Sequence, residues 1–258
     1  LSIEPRRFRI DLAYDGTDFC GWQVQARGRT VQGLLEQTLA RLQGGAPVAV
    51  RGAGRTDAGV HARQQVADVR LTTPLGDAEL GHSLRSMLPG DLRPLRVREV
   101  EDSFHSRRDA RSKTYRYRLD RSRGGDPFLA RYALHRAGRL DLEAMREALN
   151  RLPGRRDWSG FAASACEVRD RVREMTEARY EETAGGEGWF SFTADGFLTH
   201  MVRNLVGTLL DVGRGRFDPG RIERILAAGD RSLAGPTAAA RGLVLWRVVY
   251  PGDTDGDV

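Results

Sequence analysis

Two stretches of strict alternation constrain this chain most. Residues 7–14, Arg-Phe-Arg-Ile-Asp-Leu-Ala-Tyr, and residues 112–119, Ser-Lys-Thr-Tyr-Arg-Tyr-Arg-Leu, switch faces at every residue. A period of two keeps one face apolar only in an extended strand, so each stretch predicts a long strand. In the second, Thr114, Arg116 and Arg118 share one face and Lys113, Tyr115, Tyr117 and Leu119 the other. After the first strand, Asp15-Gly16 predicts a turn and Thr30 caps a helix over residues 31–42. A strand ends at residues 48–50, and residues 65–69 alternate as a half-buried strand. Residues 77–87 read as a helix, and Pro89-Gly90-Asp91 turns into a strand over 92–100. The order is β-α-β-loop-β-α-β, an α+β arrangement with helices on one face of an antiparallel sheet.

The second half repeats that order without an alignable sequence repeat. A polar bridge over 102–111 leads to the strand at 112–119, and a turn follows at 121–126. Asp141 caps a helix over 141–152, residues 158–167 form an irregular loop, and strands follow at 172–181 and 188–194. Residues 199–212 are a helix whose buried stripe is Met201, Val202, Leu205, Val206, Leu209, Leu210 and Val212. A short helix at 219–228 and a closing strand at 243–250 complete the half. The expectation is an α+β fold of two similar subdomains, 1–105 and 106–250. Their antiparallel or mixed sheets join into one extended sheet, and a central cleft suits an elongated ligand. The acidic, glycine-rich residues 251–258 are expected to be a flexible tail.

Composition narrows the function. With 40% hydrophobic and 29% charged residues the chain fits a globular protein, and no apolar run reaches the length of a membrane span. The first residues lack the pattern of a secretory signal, so a cytoplasmic location is expected. Cys20 and Cys166 are too few for a disulfide framework or a zinc site, and read as small buried residues. The five histidines show no H-x-x-H or H-x₃-H pair, and no P-loop or dinucleotide fingerprint occurs; neither metal nor cofactor is expected. The net charge is +6, and Lys113 is the only lysine among 41 basic residues. Guanidinium forks suit phosphate oxygens, although an arginine-rich solvated surface carries the same charge.

Three positions carry candidate chemistry. Asp57 lies in a glycine-rich loop, with glycines at 52, 54 and 59 and arginines at 55 and 63. A carboxylate there either caps a turn or is a reactive group held by rigid strands. Tyr115 sits on the first strand of the second half, where a core role is the ordinary one. Arg203 lies about 110° from the centre of its helix's apolar stripe, at ~100° per residue, where a snorkelling side chain is usual. Gly207, one turn on, would let another backbone come close. Phe19 and Trp22, in the loop over 17–29, either stack on bases or lid the core.

The wording around these residues is more specific than the residues alone. G-R-T-D-A-G-V-H-A at 54–62, K-T-Y-R-Y-R-L at 113–119 and F-L-T-H-M-V-R-N-L-V-G at 197–207 resemble the tRNA pseudouridine synthase A (TruA) family. So do A-Y-D-G-T-D-F-C-G-W-Q at 13–23, L-P-G-D at 88–91 and S-F-H-S-R at 103–107. The resemblance runs through nearly the whole chain in the same order. It departs at Cys20, where the family commonly has an aromatic residue, and in using arginine for mixed Lys/Arg. It implies isomerisation of uridine to pseudouridine at positions 38, 39 and 40 of the tRNA anticodon stem-loop, by a homodimer needing no cofactor or metal. The catalytic carboxylate falls on Asp57, the base-stacking tyrosine on Tyr115 and the ionic partner on Arg203. Arg55 corresponds to the arginine that fills the space of the extruded nucleotide. Further RNA contacts are expected from His61, Arg63, Arg107 and Lys113.

The chemistry is consistent with those roles. Breaking uridine's glycosidic bond and rejoining it through C5 needs a nucleophile, or an anion facing developing positive charge, and a carboxylate can be either. The base must leave its stack, at a cost of a few kcal/mol that an aromatic face partly offsets. A catalytically silent RNA-binding protein is the second reading. A glycoside hydrolase is disfavoured because no second carboxylate accompanies Asp57; the nearest, Asp68, is expected to face solvent.

Overall fold

The structure is a computed structural model and describes residues 3–253. In chain order the first half is β1 (Arg6–Tyr14), α1 (Val31–Leu42), β2 (Val50–Gly52), β3 (His61–Leu71), α2 (Asp77–Met87) and β4 (Leu92–Val100). There follow β5 (Ser112–Asp120), β6 (Leu134–His135), α3 (Leu142–Asn150), β7 (Gly154–Asp157), β8 (Val172–Glu182) and β9 (Glu187–Ala194). The last elements are α4 (Met201–Gly213), α5 (Arg221–Ala228) and β10 (Leu243–Val249). The fold is α+β, as the alternation of patterns predicts.

The chain divides into two compact units, Leu1–Arg111 with Leu245–Val258, and Ser112–Val244. The division therefore falls at 111/112 instead of 105/106, and most of the closing strand goes with the first unit. Hydrogen bonds explain the shift. Arg111 N–H donates to Val249 O at 2.8 Å, and the Tyr250 hydroxyl donates to Ser106 O at 2.5 Å.

In the first unit the strand order is β4-β1-β3-β10, with β2 beside β3. β1 pairs antiparallel with β3 and β4, placing Ile10 opposite Ala67 and Val97. Phe8, Ile10 and Leu12 are fully buried. The polar face of β1 is buried too: Arg9 is 2% exposed and ion-paired with Asp11 at 2.7 Å and Asp253 at 2.8 Å. A buried guanidinium needs such partners. Asp253 also pairs with Arg98 at 2.9 Å, so the expectation of a flexible tail fails at this residue; residues 254–258 lie outside the described residues. Thr30 caps α1 as expected, its hydroxyl accepting from Gly33 N–H.

β3 departs from expectation. Only Arg63 and Arg70 are exposed along its eleven residues, so the strand is covered on both faces instead of half-buried. Asp68, expected to face solvent, is fully buried. Its carboxylate meets Arg7 at 2.8 Å and Arg51 at 2.5 Å, and accepts from Ser106 N–H at 2.9 Å. Burial pushes this carboxyl up, but the bonds from Arg51 and Ser106 outweigh it and hold it below the usual range.

In the second unit the order is β5-β9-β8-β7, each pair antiparallel, with the two-residue β6 parallel to β5. β5 keeps its predicted faces: Lys113, Tyr115, Tyr117 and Leu119 are buried and Thr114, Arg116 and Arg118 are partly exposed. Asp141 caps α3, accepting from Ala144 N–H at 2.9 Å. β7 had no apolar pattern to reveal it; its Gly-Arg-Arg-Asp is a strand because it pairs with residues 172–175 of β8. α4 is buried all round except at Arg203, a core helix instead of a striped one. Cys166 is buried as expected, but Cys20 is exposed.

Candidate active site

Asp57 lies in the loop between β2 and β3, and the loop is tied down on both sides of it. The Thr56 hydroxyl is 2.8 Å from the Tyr14 hydroxyl, and the Thr56 carbonyl accepts from Trp22 N–H at 3.0 Å. Gln65 Nε2 donates to Gly54 O at 2.9 Å. Val60 N–H donates to Asp57 O at 3.1 Å, and Gly59 N–H to Phe19 O at 3.3 Å. Gly59 has φ of 78°, which a residue with a side chain rarely adopts. A side chain at Gly21 would meet Thr56 O at 2.6 Å, so the segment around residue 21 presses against the loop.

Phe19 and Trp22 are 3% and 2% exposed, their ring centroids 6.3 and 6.4 Å from that of Tyr14. They lid the core beneath the loop and present no free face to a base. Burial pushes the Tyr14 hydroxyl up to about 12, against the pull of Thr56 and Gln65, so it stays neutral and protonated at pH 7. Asp57 is partly exposed on a loop whose backbone has little freedom. A reactive carboxylate needs that combination.

The neighbouring positive groups differ in setting. Arg55, Arg63 and Arg107 are exposed, and the Arg63 guanidinium lies 4.9 Å from the centroid of the Trp246 ring. His61 is 5% exposed; its Nδ1 accepts from Gly16 N–H at 3.0 Å and lies 3.1 Å from an Asp15 oxygen. Its side chain braces the turn at residues 15–17.

In the second unit, Tyr115 is 7% exposed and meets the Phe197 ring edge-on, centroids 5.1 Å apart at 84°. Lys113 is buried on the same face of β5. Arg203 leaves the first turn of α4, just after His200 takes a left-handed φ of 61°. Its Nε donates to Ala238 O at 2.8 Å. The Tyr117 hydroxyl donates to the next carbonyl, Ala239 O, also at 2.8 Å. Burial drives the Tyr117 hydroxyl far above its usual range, despite the nearby Arg203, Arg241 and Arg136 charges.

The segment that carries these carbonyls is clamped to α4. Asn204 Nδ2 donates to Phe161 O, and its Oδ1 accepts from Arg231 at 2.9 Å and from the Thr237 hydroxyl at 2.6 Å. The Thr208 hydroxyl accepts from Gly235 N–H at 2.9 Å. Pro236 O lies where a side chain at Gly207 would go, which is the close approach expected there.

The sequence model of the family described as tRNA pseudouridine synthase matches residues 12–107 and 148–251. The chain belongs to the tRNA pseudouridine synthase family. It is similar to a tRNA pseudouridine synthase A of Streptococcus mutans, 42% identical over 95% of this chain and 98% of that protein. One from Streptococcus suis is 44% identical over the same shares, and one from an Exiguobacterium species 42%. As a member of the tRNA pseudouridine synthase family, the chain is an isomerase that converts uridine to pseudouridine in tRNA.

Of the residues expected at the site of this tRNA pseudouridine synthase, the first unit carries Asp57, Arg55, His61, Arg63 and Arg107, and the second Lys113, Tyr115 and Arg203. The braces around them were not legible beforehand. Thr56, Tyr14 and Gln65 hold the loop, and Asn204 holds the segment facing Arg203. Asp68 cannot be the acid partner of a hydrolase, because its oxygens are committed to Arg7, Arg51 and Ser106. No helix among the described residues is long and apolar enough to cross a membrane.

Proposed function

We propose that this tRNA pseudouridine synthase acts on the anticodon stem-loop, at positions 38, 39 and 40, with Asp57 as the catalytic carboxylate. The uridine leaves its stack and is received by Tyr115, and Arg203 serves as the ionic partner of the carboxylate. The N1–C1′ bond breaks, the uracil turns, and C5 bonds to C1′. The proton on C5 leaves to solvent and N1 gains one, so the product is an isomer. Arg55 fills the vacated stack, and Arg63, Arg107, His61 and Lys113 contact or support the RNA. The enzyme works as a homodimer, without cofactor, in the cytoplasm where tRNA is used.

The observation that supports this most is the immobilised loop around Asp57, fixed through Thr56, Gly54 and Val60. Positioning of the reacting group supplies much of an enzyme's rate. The test is release of tritium from tRNA labelled at uridine C5. Wild type should release it, and Asp57→Ala should release none while still binding tRNA. An Asp57→Ala enzyme with wild-type turnover would remove Asp57 from the chemistry. Mapping the product by mass tests positions 38 to 40.

A further inference from the structure

The segment joining β4 to β5 holds an unusually well-anchored turn, and the isomerisation chemistry leaves it unused. Every polar atom of Ser106 is committed to a different part of the first unit. Its N–H donates to buried Asp68 at 2.9 Å, its hydroxyl to Arg51 O at 3.1 Å, and its carbonyl accepts from the Tyr250 hydroxyl at 2.5 Å. Ser106 itself is fully buried.

His105 then fixes the backbone that follows. Its Nδ1 accepts from Arg107 N–H at 3.2 Å and from Arg108 N–H at 3.4 Å. The Asp109 carboxylate accepts from His105 N–H at 2.7 Å, and Asp109 N–H donates to His105 O at 3.1 Å. An Asn or Asp side chain does the same in an Asx turn. Only an unprotonated ring nitrogen can accept, so the turn requires neutral imidazole. Arg107 and Arg108, both exposed, follow on this fixed backbone.

We propose that residues 105–109 are a preset phosphate-gripping turn for tRNA, in which Ser106 anchors the backbone, neutral His105 shapes it, and Arg107 and Arg108 hold the phosphates. His105 is thus a positioning residue. Fixing the backbone beneath two long side chains lowers the entropy lost when they grip RNA. The proposal rests on tRNA being the substrate, but not on which residue performs the chemistry.

The groups facing His105 are Arg51, Arg108, Asp68 and Asp109, and burial together with the two arginines lowers its pKa from the usual 6.5. Acid has opposite consequences under the two possible roles of the ring. If His105 only added charge, protonation would tighten RNA binding. If it shapes the turn, protonation removes the acceptor and weakens binding.

The test combines tRNA affinity by filter binding with steady-state tritium release. His105→Ala should raise Kd and KM for tRNA about five- to tenfold and move kcat less than twofold, the pattern of lost uniform binding. His105→Asn, whose Oδ1 can accept the same two N–H groups, should restore wild-type Kd. Below the usual histidine range, wild-type affinity should fall relative to that of His105→Asn. The exposed pair Arg107→Ala/Arg108→Ala tests the grip without touching the core, and should flatten the salt dependence of log K by about 1 to 2. Wild-type tRNA affinity in His105→Ala or in the double variant would overturn the proposal, as would superposable pH profiles for wild type and His105→Asn. Filter binding needs no turnover, so failure of the turn is distinguishable from failure of the Asp57 assignment.

Discussion

Arg203 and Ala238 are joined twice. Ala238 N–H donates to the Arg203 carbonyl at 3.1 Å, and Arg203 Nε donates back to the Ala238 carbonyl at 2.8 Å. The backbone and side chain of one arginine are thus fixed by a single residue of the segment before β10. Because Nε is engaged, the plane of the guanidinium is set, and its terminal nitrogens project in one direction. Lysine's donors all sit on one nitrogen, so it cannot hold Ala238 O with one nitrogen and project others in a fixed plane. Arg203→Lys should therefore fold normally yet lose about a hundredfold in kcat, or ~2.7 kcal/mol of transition-state stabilisation. Single-turnover tritium release measures it, and a variant within threefold of wild type would mean that charge alone suffices.

Gly207 tests the same arrangement from outside the site. Pro236 O occupies the space that a methyl group would need. Gly207→Ala must push the 235–238 segment away, taking Ala238 with it. Overpacking of this kind costs about 1–3 kcal/mol. Thermal melting should fall by roughly 2–4 °C for each kcal/mol in a chain of this size. Activity should fall further than the small loss of folded protein explains; an unaltered specific activity would show that Ala238 does not orient Arg203.

The first unit should lose stability in acid. Asp68 and Asp253 are both held below the ordinary carboxylate value of 3.8; for each, burial raises the pKa, and hydrogen bonds, from Arg51 and Ser106 to Asp68 and from Arg9 and Arg98 to Asp253, more than reverse it. A carboxyl lowered in the folded state stabilises it fully above the unfolded value. That contribution disappears as the pH drops from about 3.8 through the folded value. Asp68→Asn should therefore cost about 3–5 kcal/mol at neutral pH, as breaking a buried pair does. The gap from wild type should narrow below pH 3.8. Urea titrations at several pH values decide it; a gap independent of pH would assign the cost to shape instead of charge.

What was legible in the sequence and what was not follows one physical division. Local signals were readable: the Thr30 and Asp141 caps and the faces of β5 each depend on a few neighbouring residues. Long-range pairing was not. Asp68 looked solvent-facing because alternation in a strand shows two faces without saying whether the second is covered. Asp253 looked like tail because its partners, Arg9 and Arg98, are distant in sequence. β7 has no apolar residue and exists only through β8. At the site, motif wording pointed to Asp57, Tyr115 and Arg203, but the residues bracing them are found only once the chain is folded.

Tyr115 offers the last test, because its two properties can be separated. Its ring is buried against the edge of Phe197, so its position does not depend on the hydroxyl alone. If it receives the extruded uridine by stacking, Tyr115→Phe keeps the aromatic face and should retain most tRNA affinity. Tyr115→Leu preserves bulk but lacks the π-face, and stacking contributes about 1–3 kcal/mol per base. The leucine variant should accordingly lose roughly tenfold or more in kcat/KM relative to phenylalanine. Equal kcat/KM in the two variants would rule out stacking. If both variants also fell equally far below wild type, the hydroxyl would be the group that takes part in the reaction.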